Sequence, residues 1–202
     1  MTKEEFQAMV EILKPTIEEI RQRAHMLHDS VNQRYDRTHP YGYHLDMVAD
    51  SVEKYGHLVC AKEYDILPLF FGAYYHDSIE DARLTYNDVM RGARLFMNDD
   101  QAEMAAEMAY ALTNEKGRTR AERADDRYYQ GIRETPYAPF LKLSDRLANI
   151  TYSFKHSNKS NEHMKEVYVN ELPHFLEAIN AHSDDPRFAL PEEMINDIMK
   201  LL

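Results

Sequence analysis

The chain has no tryptophan, a single cysteine and only six glycines in 202 residues. Each shortage excludes something. With Cys60 alone, no internal disulfide can form, which suits a reducing cytoplasm. Few glycines and no alternating β-branched runs argue against a turn-rich sheet protein. Long apolar runs are also missing: the longest, Ile66 to Tyr75, is too short to span a bilayer. The opening "MTKEEFQAMVEILKPTIEE" lacks the basic-then-apolar order of a signal peptide, so a cytoplasmic chain with no membrane contact is expected. Basic side chains are outnumbered, 24 against 35 acidic ones, for a net charge of −11. That excludes a large nucleic-acid footprint. It leaves room for a small phosphorylated ligand, because a local basic pocket or a metal reverses the sign at a site.

What is present is helical periodicity. Phe6, Met9, Val10 and Leu13 share one face of a first helix, and Pro15 fits the first turn of a second, "PTIEEIRQRAHMLHDSV". "QRYDRTHPYGY" reads as a loop. "HLDMVADSVEKYG" reads as a helix closed by Gly56, and "KEYDILPLFFGAYYHDSIED" as a buried helix with Pro68 near its start. Thr85 and Asp88 form a capping-box pattern ahead of "YNDVMRGARLF". "DDQAEMAAEMAYALT" is rich in strong helix formers, and its methionines at helical spacing suit a core. "NEKGRTRAERADDRYYQGIRETP" is polar and the least regular stretch of the middle. Three more helices follow, in "YAPFLKLSDRLANITYSFKH", "NEHMKEVYVNELPHFLEAINAH" and "PEEMINDIMKLL". The expectation is one all-α domain over residues 1–202.

The apolar run ends in "HDSIED", where His76, Asp77, Glu80 and Asp81 crowd together. Desolvated charges are costly unless something pairs with them. On a helix, His76 would stack with Glu80 and Asp77 with Asp81. Two distant residues can complete a cluster: His44, after the Tyr41-Gly42-Tyr43 loop, and Asp145, a carboxylate on an otherwise apolar helix face. Taken singly, each has an ordinary role as a cap, a core histidine or an ion pair. Together they form a mixed imidazole and carboxylate set that suits Mn²⁺, Fe²⁺ or Zn²⁺ better than a thiolate site.

"H…HD…D" on helices resembles the signature of the HD-domain metal-dependent phosphohydrolase superfamily, whose fold is a helical bundle. "HDSIEDARLTYNDV" resembles the HD-x-x-ED-T segment of the hydrolase domain of RelA/SpoT proteins and their small stand-alone relatives. "FLKLSDRLANI" is similar to that group's VKLADRLxN segment, "AHMLHDSVNQRYDRTHPYGYHLDMVA" to its AHxGQxRxxGxPYIxHPxxVA opening, and "ALTNEKGRTR" to the VTDDK region. The segments run in family order over about residues 24–150, with further helices over 151–202. This chain has Leu45 where the family has a proline, and its loop before His44 is spaced differently.

The resemblance implies one divalent transition metal, Mn²⁺ first, held by His44, His76, Asp77 and Asp145. It implies a catalytic acidic pair, Glu80 and Asp81, whose division of labour stays open. Arg34, Lys116, Asn149 and Tyr168 correspond to substrate contacts, with Arg37 as the alternative to Arg34, and Arg118 or Arg120 as further phosphate clamps. The implied reaction is hydrolysis of a nucleotide 3′-diphosphate such as that of guanosine tetraphosphate, through metal-activated water. Two alternatives stand beside it: an HD phosphatase or phosphodiesterase on another nucleotide, and a non-catalytic metal- and nucleotide-binding module. A homo-oligomer is compatible with either.

Overall fold

The computed structural model describes residues 1–114, 117–156 and 159–202. Among them the chain forms α1 (Lys3–Ser30), α2 (Gly42–Tyr55), α3 (Ile66–Tyr75), α4 (Tyr86–Ala93), α5 (Asp99–Leu112), α6 (Arg120–Arg123), α7 (Asp126–Glu134), α8 (Ala138–Lys155), α9 (Lys159–Ile179) and α10 (Glu192–Leu201). No strand occurs among the described residues, only an isolated bridge between Arg34 and Pro40. The all-α expectation holds. None of the helices is long and apolar enough to cross a membrane.

α3 is the centre of the bundle. All ten of its residues are buried, and it packs on α1, α2 and α5. An apolar helix with no polar face can only be stable when surrounded in this way. α8 lies on the other side of α2 and also packs on α5, α7, α9 and α10. The core therefore continues from α3 through α2 into α8, and the site residues sit along that line.

Two expectations about boundaries change. Residues 3–30 form one helix rather than two, opened by a Thr2–Glu5 capping box. Its buried stripe, Phe6, Val10, Ile17, Ile20, Ala24 and His28, runs past Pro15 without a break. Pro15 and Glu11, four residues back, are both exposed, so the carbonyl that proline leaves unbonded faces water and costs little. The polar stretch after α5 contains α7, whose Tyr128 and Ile132 turn into the core.

Gly56 does cap α2, but in a right-handed conformation with φ −57°. Its lack of a side chain serves packing instead. A Cβ here would lie 2.6 Å from Cζ of the fully buried Phe6. Gly56→Ala should gain up to about 1 kcal/mol from helix propensity, against roughly 1–3 kcal/mol of overpacking. The clash wins, and we expect net destabilisation of about 1–2 kcal/mol. Denaturant unfolding reads this directly; wild-type stability in the variant would show that Phe6 moves aside freely.

Candidate metal centre

Four donors from three parts of the fold meet at one point. His44 lies in the first turn of α2, its N–H bonded to the Tyr41 carbonyl at 2.9 Å. His76 is the C-cap of α3, and Asp77 follows it. Asp145 lies two turns into α8. α2 packs against both α3 and α8, which brings the donors together. His44 Nε2 lies 3.3 Å from His76 Nε2, 3.4 Å from Asp145 Oδ1 and 3.6 Å from Asp77 Oδ2. His76 Nε2 lies 2.8 Å from Asp77 Oδ2. Both histidines are buried, and the Asp77 and Asp145 side chains are 20% and 14% exposed.

The segment "HDSIED" is not a helix. α3 stops at Tyr75, and residues 76–81 form successive turns. The Ser78 hydroxyl and N–H both donate to the Tyr75 carbonyl, at 2.7 and 3.0 Å. A serine that bonds the backbone locally competes with helix propagation. One i,i+4 bond survives, Asp81 N–H to Asp77 O at 2.8 Å.

Each donor has a partner that orients it. The His76 Nδ1–H donates to Ala73 O at 2.8 Å, which leaves its Nε2 lone pair facing the cluster. Asp145 accepts Lys142 Nζ at 3.0 Å and Asn149 Nδ2 at 2.5 Å. Asn149 in turn accepts the Tyr35 hydroxyl at 2.8 Å. The His44 ring stacks on Tyr35, with centroids 5.0 Å apart and planes 10° apart. Asp77 Oδ2 accepts the Tyr41 hydroxyl at 2.5 Å. Outer partners of this kind are how metal ligands are aimed.

The charges are strongly coupled. Burial works against protonating His44, but Asp145 and Asp77 overcome it and raise its pKa to about 9. His76 is raised for the same reason, chiefly by Asp77. Burial would raise both carboxylates, yet His76 and His44 hold Asp77 well below the usual range, and Lys142 and His44 do the same for Asp145. Lys142, itself beside Tyr128 and Asp145, stays an ammonium. Positive charge on His44, His76 and Lys142 thus keeps both carboxylates ionised around one meeting point.

That point fits a cation. An ion bonded to N and O donors at about 2.1 Å holds neighbouring donors about 3.0 Å apart in an octahedron and about 3.4 Å apart in a tetrahedron. Four of the six donor–donor distances run from 2.8 to 3.6 Å. Ligand atoms of His44, His76 and Asp145 all lie within 4.8 Å of one another, and Asp77 joins them through its contacts to both histidines.

Two hollows flank the donors. A polar one of 280 Å³ is lined by Asn114, Arg123, Lys142, Asp145, Asn149 and Tyr168, among others. An open cleft of 990 Å³ includes Tyr35, Arg37, His39, Asn149, Tyr152 and Tyr168 in its wall. Asn149 and Tyr168, two of the expected substrate contacts, line both hollows. Arg34 is not: it is exposed and donates to Thr38 O, 3.0 Å away, within its own loop. Arg37 is the arginine that reaches the cleft. Lys116 and the side chain of Arg120 lie outside the described residues. Arg118 is exposed.

The acidic pair divides. Glu80 is exposed and accepts Asn114 Nδ2 at 2.8 Å. Asp81 is half-buried, and burial, followed by the charge of Asp77, raises its pKa. Sequence reasoning missed Lys142, Tyr41 and His28. Lys142 had a signal, since it precedes Asp145 by three positions on one helix face. His28 had one too, as the polar member of an apolar stripe. Tyr41 had none: its role depends on how the loop folds back over Asp77. No protein-family model, curated protein or solved structure matches this chain.

Proposed function

We propose that the chain is a metal-dependent phosphohydrolase acting on a nucleotide 3′-diphosphate, in the manner of the RelA/SpoT-type hydrolase domain. The observation that carries this reading is the convergence of His44, His76, Asp77 and Asp145 at ligand spacing. Asp145 lines a cationic hollow, and Asn149, bonded to Asp145, also lines an aromatic-walled cleft. A divalent ion, Mn²⁺ in the first instance, would be held by those four side chains and would supply activated water and a Lewis acid for a phosphoryl oxygen.

The residues around it divide the remaining work. Lys142 and Arg123 offer positive charge to phosphoryl oxygens, and Asn114 adds an amide donor. The planar base fits the cleft, against rings such as Tyr152 and His39. Asn149 and Tyr168, which border both spaces, stand where the ribose would lie. Water oxygen bonds to phosphorus, the bond from phosphorus to the 3′ oxygen breaks, and that oxygen leaves as a hydroxyl after taking a proton. Asp81, half-buried and sharing the Tyr41 hydroxyl with Asp77, is the group to hold a proton during the exchange. The products are guanosine diphosphate and pyrophosphate. A cytoplasmic location accords with this substrate.

A substrate panel with Mn²⁺ tests the reading. Guanosine tetraphosphate should be cleaved to guanosine diphosphate and pyrophosphate, and simple aryl phosphates should be poor substrates because they lack the remote base that positions the bond. Turnover of deoxynucleoside 5′-monophosphates or cyclic dinucleotides alone would replace the substrate while keeping the metal chemistry. Tight nucleotide binding with no turnover of any substrate would make the chain a binding module.

A further inference from the structure

Three of the four donors are oriented by partners on their own element or by a broad ring contact. His76 is bonded to Ala73 one turn back, Asp145 to Lys142 and Asn149 on its own helix, and His44 lies flat on Tyr35. Asp77 is different. It lies beyond the end of α3, in a run of turns, where no helical repeat aims its side chain. The group that meets its carboxylate from outside the cluster is the Tyr41 hydroxyl, 2.5 Å from Oδ2. That oxygen is also the one facing both histidines.

Tyr41 is in turn held from behind. Its ring stacks on His28 with centroids 4.6 Å apart and planes 18° apart, and the His44 ring meets it edge-on at 5.5 Å. His28 is fully buried, and neither of its ring nitrogens has a hydrogen-bond partner. Buried polar atoms left without partners are uncommon and unfavourable. Hydrogen bonding does not explain an imidazole there; the flat face it presents to Tyr41 does. The backbone brings the two rings into register. Gly42, next to Tyr41, lies so close to α1 that a Cβ would sit 2.6 Å from the His25 ring. Only a glycine lets the start of α2 press onto the last turns of α1, where His28 stands.

We propose that Tyr41, backed by His28, is the positioning residue for Asp77, setting the carboxylate oxygen that completes the metal site. This rests on the metal-binding part of the proposed function and adds a layer to it. The phenol donates to Asp77 and leaves its ionised oxygen aimed at the histidines. The stack removes the ring's freedom to swing the hydroxyl away. Losing an outer partner of a ligand typically weakens metal binding about 10- to 100-fold.

The test is Mn²⁺ titration of the full chain by calorimetry, alongside thermal unfolding in chelator. Tyr41→Phe keeps the ring and the stack and removes only the hydroxyl. It should bind Mn²⁺ about 10- to 100-fold more weakly, with the chelator melting temperature close to wild type. His28→Phe preserves a flat face and should keep wild-type affinity; His28→Ala should weaken it in the same direction as Tyr41→Phe. Wild-type affinity in Tyr41→Phe overturns the proposal and leaves the metal centre standing. An unchanged affinity with a lowered chelator melting temperature also overturns it, because the hydroxyl would then serve the fold alone. If wild-type protein itself takes up no Mn²⁺, the metal reading falls and this proposal falls with it. Should Tyr41→Phe fail to fold, the His28 pair decides: equal affinity in His28→Ala and His28→Phe overturns the arrangement.

Discussion

Replacing either His76 or Asp77 with alanine should abolish stoichiometric Mn²⁺ binding. Wild-type protein purified without chelator should carry about one transition metal per chain, as expected for a site with four protein ligands. Each of the two residues contributes more than one bond. His76 supplies an Nε2 already aimed by its Ala73 hydrogen bond, 3.3 Å from the His44 nitrogen. Asp77 places one oxygen against both imidazoles. Removing His76 leaves Asp77 and Asp145 facing each other with less positive charge between them. Removing Asp77 takes away the one oxygen that lies within 3.6 Å of both imidazole nitrogens. The loss should therefore exceed that of one coordinate bond, because the remaining donors lose their mutual alignment. Metal analysis by mass spectrometry of both variants decides it; unchanged occupancy in both would mean that the cluster is a proton-sharing core network and no metal centre. Circular dichroism checks that the bundle is intact. Both residues lie beyond the last residue of α3, so the fold should survive.

The fold class was legible because it depends on composition and on a period of 3.6, which local sequence carries in full. The α3 segment shows this well: "ILPLFFGAYY" is apolar all round, and a helix of that kind has to be central. The boundaries were less legible. Pro15 looked like a break because a proline removes one backbone bond, yet the continuous stripe from Phe6 to His28 outweighs that local cost. The end of α3 went the other way. "HDSIED" continues a helical pattern on paper, but the Ser78 bonds to Tyr75 take the chain out of the helix.

The four donors could be picked out as residue types in order, since His44, the His76–Asp77 pair and Asp145 stand out against apolar neighbours. Their orienting partners could not. Tyr41 and Tyr35 act through loop geometry, and that is set by the close approach of α1 and α2 rather than by any local pattern. The exchange of Arg34 for Arg37 at the cleft has the same cause: the Arg34 guanidinium turns back to Thr38 within the loop, a choice that spacing alone leaves open.

The second large effect concerns the acidic pair. Asp81→Asn should lower kcat on the order of 10²- to 10⁴-fold at saturating Mn²⁺, the range for losing a general acid–base group, while Mn²⁺ affinity stays near wild type. The geometry separates Asp81 from its neighbour. Asp81 is half-buried, and its side chain shares the Tyr41 hydroxyl with Asp77 and also meets Gln33. A carboxyl so placed binds a proton more readily than one in water, which a group that takes and returns a proton requires. Glu80 stands in solvent and is tied to Asn114, a residue lining the cationic hollow beside Asp145. Its replacement by glutamine should act on that hollow as well as on water, raising KM for the 3′-diphosphate together with a smaller fall in kcat. The two variants can thus be told apart by steady-state kinetics: a kcat defect with little change in KM for Asp81→Asn, and a mixed defect for Glu80→Gln. If Asp81→Asn turns over at the wild-type rate, proton transfer belongs to Glu80, and the exposed carboxylate has to turn inward when substrate binds.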